Sequence, residues 1–195
     1  MNRLTNMRKT IPVLLAIFAA LLCVLPTSAQ KKDVPKGIST EKSSAGHITH
    51  MKPFSLTEVF QDPQAKESIP LHQMALEVLY PFSGESPAPP AGEVRLRFQA
   101  TSNKYIFLKG QEVLLALDNE KGNGRAIDLG HTNYNSKSPE FNTVFVEVLE
   151  LQVPAEALSR MGKANTVDVF VGPISYRLTK DQQQKLSTFF DYISQ

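Results

Sequence analysis

Cysteine is all but missing from this chain: Cys23 is the only one, and it lies inside an apolar run near the amino terminus. An intramolecular disulfide framework is therefore excluded, and the fold must be held by an apolar core. No Asn-x-Ser/Thr sequon occurs, so there is no acceptor for N-glycosylation. The chain also lacks a Gly-x-Ser-x-Gly elbow and a glycine-rich phosphate loop followed by Lys-Ser or Lys-Thr, which removes two common routes to hydrolysis. Its uncharged run, Ile11 to Pro26, falls short of the roughly 20 apolar residues that a membrane-spanning helix needs.

What is there begins with an export signal. Arg3, Arg8 and Lys9 form a positive start, the apolar run follows, and Thr27-Ser28-Ala29 offers the small side chains that a signal peptidase accommodates. Cleavage before Gln30 is expected, giving an exported protein, periplasmic or extracellular. An uncleaved signal anchor is the alternative. Cys23 sits within the apolar run after Leu21-Leu22, which argues against a lipidated cysteine. The full chain has 21 Lys and Arg against 19 Asp and Glu, and removing residues 1–29 leaves 18 against 19. The basic balance belongs to the leader, so nothing in it speaks for a nucleic-acid partner.

Residues 30–69 read as a flexible linker and irregular lead-in, because Lys31, Lys32, Lys36 and Lys42 stand among Ser, Thr, Gly and Pro with few large apolar side chains. Within it, Ser55 and Glu58 have the spacing of a helix capping box. The folded domain is expected over residues 70–195, a length sufficient for one core. Alternation of apolar and polar residues predicts strands over 72–80, 94–98, 105–108, 112–117, 125–129, 143–151, 166–171 and 174–178. Pro154 opens a short helix over 154–161 with Gly162 behind it. Thr179 and Gln182 form a capping box for a C-terminal helix over 180–193, in which Leu186, Phe189, Phe190 and Ile193 recur at helical spacing. The fold class is mainly β: an antiparallel β-sandwich-like domain closed by that packed helix.

The stretch from Asn165 to Phe190 resembles the ending of uncharacterised exported bacterial domains. In these a strand, a glycine turn and an aromatic-Arg-Leu-Thr strand end lead into a helix that begins Asp-Gln-Gln, as Asp181-Gln182-Gln183 does here. Val94-Arg95-Leu96-Arg97-Phe98 after a proline-rich loop is similar as well. The resemblance spans most of residues 70–195 and rests on structural signatures. It implies a β-sandwich-like fold with a packed terminal helix, and no activity.

His131, Asn133, Tyr134 and Asn135, a polar and aromatic cluster at the end of an expected strand, form the candidate ligand-binding patch. His47 and His50 stand three apart in a segment read as linker, with no third metal ligand nearby. Asp118, Glu120 and Asn123 lack the glycine and the closing glutamate of a calcium loop. Glu147 and Glu150 are three apart on one strand and so face opposite ways, which defeats joint acid and base work. No cofactor or metal is implied. The expected function is an exported, non-enzymatic binding or interaction module whose partner is another envelope protein or a carbohydrate. An exported hydrolase acting on polysaccharide or peptide, and a structural accessory subunit of an envelope complex, are the alternatives. A pocket joining His131 to Asp128 or another carboxylate would favour the hydrolase.

Overall fold

A computed structural model describes residues 33–58, 71–84, 92–118, 126–137 and 144–194. The chain divides into two units, Met1–Asp33 and Val34–Gln195, and the architecture that follows is that of the second. Its elements in chain order are β1 (Ile38–Ser43), β2 (Gly46–Glu58), β3 (Leu71–Phe82), β4 (Glu93–Ser102), β5 (Glu112–Leu117), β6 (Ile127–His131), β7 (Asn133–Lys137), β8 (Phe145–Pro154), α1 (Glu156–Lys163), β9 (Val167–Val171), β10 (Ile174–Arg177) and α2 (Lys180–Ile193).

The fold is mainly β and β-sandwich-like, built of two antiparallel sheets with one short helix and one C-terminal helix. The first sheet runs β1-β2-β3-β4-β8-β7, and the second runs β6-β5-β9-β10. Two corners join them. β2 spans 13 residues. Its first half pairs with β1, while Thr57 and Glu58 on the same strand pair with Arg177 and Tyr176 of β10. A register shift between Met51 and Phe54 makes that turn of the strand possible, because an extra residue bends and re-aims it. At the opposite corner β6 pairs with β5, β7 pairs with β8, and only Thr132 separates them. The two sheets are thereby joined at both corners, and among the described residues β1, β6 and β7 are each paired on one side only.

Alternation along each strand decides which residues enter the core. In β4, Val94, Leu96, Phe98, Ala100 and Ser102 point inward and are buried, while Arg95, Arg97 and Gln99 point out. In β8, Leu149, Leu151 and Val153 are inward on the same period, and Glu147 is inward with them. α2 forms as its sequence predicts, over Lys180–Ile193. Thr179 accepts from the Gln182 N–H, and the Gln182 side chain accepts from the Thr179 N–H. Leu186, Phe189 and Ile193 are buried, joining Leu158 and Met161 of α1 in the core that both sheets share. The Gln182 amide also donates to the Ser55 carbonyl beside the β2 bulge, so α2 is fastened to the strand that turns the corner.

Three expectations are corrected. Residues 38–43 and 46–58 are not linker but the β1–β2 hairpin, with Met51, Phe54 and Leu56 in the core. Ser55 and Glu58 therefore lie in a strand and start no helix. Residues 105–108 are irregular: Leu108 is exposed, with a left-handed φ of 60°, and the segment is held by hydrogen bonds to a buried carboxylate. The short helix begins two residues later than expected, at Glu156, since Pro154 still pairs with Glu93. Gly162 lies within its last turn, where a Cβ would meet the Ser187 Cβ at 2.7 Å. The glycine is needed for helix approach. Residues 30–32 and 59–69, the proline-rich loop at 85–91 and most of the Asp118–Asn123 loop fall outside the described residues.

Candidate functional site

Register places one polar residue per strand in a row across the outward face of the first sheet. Asn133 of β7 lies opposite Glu150 of β8, Glu150 opposite Arg97 of β4, and Arg97 opposite Glu77 of β3. The Glu150–Arg97 and Arg97–Glu77 pairs are made by side chains as well. Arg97 Nε donates to Glu150 Oε1 at 2.5 Å and its terminal nitrogen to Glu77 Oε2 at 3.0 Å. Desolvation works against the Arg97 charge, but its bonds to Glu150 and Glu77 outweigh it and hold the guanidinium above its ordinary value. The row continues through His50 of β2, whose Nδ1 lies 3.0 Å from Glu77 Oε1 and whose Nε2 lies 2.9 Å from Glu41 Oε1 on β1. Both ring nitrogens lie within hydrogen-bonding distance of a carboxylate, so the ring bridges β1 and β3.

Of the expected patch, three members come together and one stays apart. Asn133, Tyr134 and Asn135 line an open depression of about 500 Å³ together with Arg97, Gln99 and Glu150. Asn133, Asn135 and Gln99 are exposed, and their amides each carry a donor and an acceptor at this surface. Tyr134 turns the other way, packs against the core, and places its hydroxyl 3.1 Å from Glu147 Oε1. His131 precedes the corner at Thr132 and is exposed, but does not line the depression. A bulge opposite Val113 and Leu114 brings Asp128 and His131 to the same side of β6. Asp128 nevertheless directs Oδ1 to the Gly130 N–H at 2.8 Å, and no ion pair joins it to His131 among the described residues.

Behind the depression, Glu147 is fully buried and its carboxyl group is met by hydrogen bonds. Its two oxygens accept from the N–H groups of Ile106, Phe107 and Leu108 at 2.7, 3.0 and 3.1 Å, and from the Tyr134 hydroxyl. It thereby ties the irregular segment after β4 to β8 and β7. Glu147 and Glu150 do face opposite ways, one inward and one outward. The two histidines of β2 also separate. His50 is outward in the charged row, whereas His47 stacks on Phe82 with ring centroids 5.4 Å apart. Asp118 accepts from the backbone N–H groups of Asn165 and Thr166, so its carboxylate serves the connection into β9. Among the described residues no group of three or more His, Cys, Asp or Glu side chains could hold a metal ion.

Sequence reasoning missed Arg97, Gln99, Glu150, Glu77 and His50 as members of this surface. The alternation of β4 was the available signal, since it exposes Arg95, Arg97 and Gln99 on one face, but strand neighbours cannot be read from it. Compared with known proteins, the chain matches no family model, no curated protein and no solved structure.

Proposed function

We propose that this chain is an exported, non-enzymatic binding module and that the outward face of its first sheet is the recognition surface. The observation that carries this reading is the depression at Asn133 and Asn135, where three amides surround an ion-paired arginine on a rigid sheet. Rows of paired donors and acceptors suit a hydroxyl-rich ligand, because each amide can give and take a hydrogen bond at once. Among carbohydrate and protein partners the carbohydrate fits this chemistry better. Export is supported by the residues of the amino-terminal leader. Among the described residues no helix is long and apolar enough to cross a membrane.

An immobilised glycan array probed with the purified protein tests the binding. Retention on envelope polysaccharides, reduced at least about tenfold by Asn135→Ala at unchanged melting temperature, is the expected outcome. Retention that ignores Asn133→Ala and Asn135→Ala would remove this face from consideration. Export has its own check. Amino-terminal sequencing of protein recovered outside the cytoplasm should begin at Gln30, and an intact Met1 in the membrane fraction would instead establish a signal anchor.

A further inference from the structure

We infer that the Asn133–Asn135 depression is one end of a longer groove that takes an extended, uncharged glycan lying across the strands; this rests on the reading of that face as a recognition surface. The first observation is continuity. Arg97 lines both the depression at Asn135 and a second one of about 550 Å³ over the β2–β3 hairpin, and Glu41 and His50 line that second depression and a third beside β1. The shared side chains are the members of the charged row. It crosses six strands from β7 to β1, a span of roughly 24 Å at the usual strand spacing.

The second observation concerns charge. The two carboxylates at the centre of the row are ion-paired with arginine: Glu150 has Arg97 at 2.5 Å and Arg95 at 3.8 Å, and Glu77 has Arg97 at 3.0 Å, while the His50 ring lies within hydrogen-bonding distance of Glu77 and Glu41. A polyanion would have to displace these carboxylates from the arginines, at a desolvation cost for each one freed. An uncharged chain meets no such competition.

The third observation is the change of chemistry along the groove. At the β7 end it offers the amides of Gln99, Asn133 and Asn135. Over the β2–β3 hairpin it offers apolar surface, with Ile48, Leu79 and Pro81 on the floor and the stacked rings of His47 and Phe82 at the side. Leu79 is buried although it points away from the core, lying opposite His50 on one side and Arg95 on the other. A glycan chain presents both surfaces, hydroxyl edges for the amides and the C–H faces of its rings for the apolar floor.

Calorimetry with neutral β-linked oligosaccharides, from disaccharide to octasaccharide, tests the inference on the unmodified protein. Affinity should rise at least about tenfold with length and then level off once the groove is filled. Pro81→Arg, which places bulk over the distal floor, should reduce binding of the octasaccharide to the level of the disaccharide without changing the disaccharide's affinity. Asn135→Ala should weaken both, and melting temperatures should show that both variants fold. Equal affinity at every length, lost only on Asn135→Ala, would overturn the groove while leaving the proposed function standing. No binding of any oligosaccharide, or binding of an extended peptide in their place, would overturn both.

Discussion

Glu147 is the residue on which the neighbourhood of the candidate site depends. A buried carboxylate is tolerated only when its lone pairs are taken up, and here three backbone N–H groups and one hydroxyl do so. Glu147→Ala leaves those donors unpaired and should cost at least about 3 kcal/mol in denaturant unfolding, with residues 104–111 exchanging their amide protons faster. Tyr134 should ionise above the ordinary tyrosine value, chiefly through burial, with Ser136 opposing and the Glu147 charge reinforcing the shift. The folded state then holds the phenolic proton more tightly than the unfolded chain. That contribution is fully present below about pH 10 and is lost as pH rises through the folded value, so stability should fall there and fall less in Tyr134→Phe. Ultraviolet titration of the phenolate checks the direction. Asn133 and Asn135 were legible as site candidates because amides and an aromatic ring cluster in the sequence. Their partners were not, since Arg97 and Glu150 are 36 and 15 residues or more away along the chain and meet Asn133 only through strand register.

At the level of elements, α2 was the most legible because its signals are local: the capping box, the acidic first turn and the apolar stripe all lie within one segment. Phe189→Ala should cost about 3 to 5 kcal/mol by chemical denaturation, since the ring is fully buried. Gly162→Ala should cost about 1 to 3 kcal/mol through the clash with Ser187, despite the better helix propensity of alanine. A thermal melt unchanged or raised by Gly162→Ala would show that α1 and α2 do not approach as closely as described. β1 and β2 were illegible for a physical reason. β1 is mostly exposed and polar on both sides, and the bulge in β2 breaks the period of two between Met51 and Phe54. β7 was hidden in the same way, since Asn133-Tyr134-Asn135-Ser136-Lys137 reads as a loop and becomes a strand only by pairing with β8. The segment 105–108 failed in the opposite sense, because an apolar run can be held by a distant carboxylate as well as by a neighbouring strand.

For the whole molecule, the two-layer β fold followed from strand alternation, whereas the way its layers join did not. The corners at the β2 bulge and at Thr132 are properties of pairing between segments far apart in the chain, and they orient the polar face outward as one continuous surface. A two-layer scaffold joined in this way holds side chains in fixed relation, which is what a preorganised recognition surface requires. The central claim is that recognition takes place on the first sheet's outward face. Amide chemical-shift mapping of the labelled protein during titration with a neutral oligosaccharide tests it most directly. Shifts concentrated on β4, β7 and β8 around Gln99, Asn133 and Asn135 are predicted; shifts confined to β5, β9 and β10, or none at saturating sugar, would contradict it.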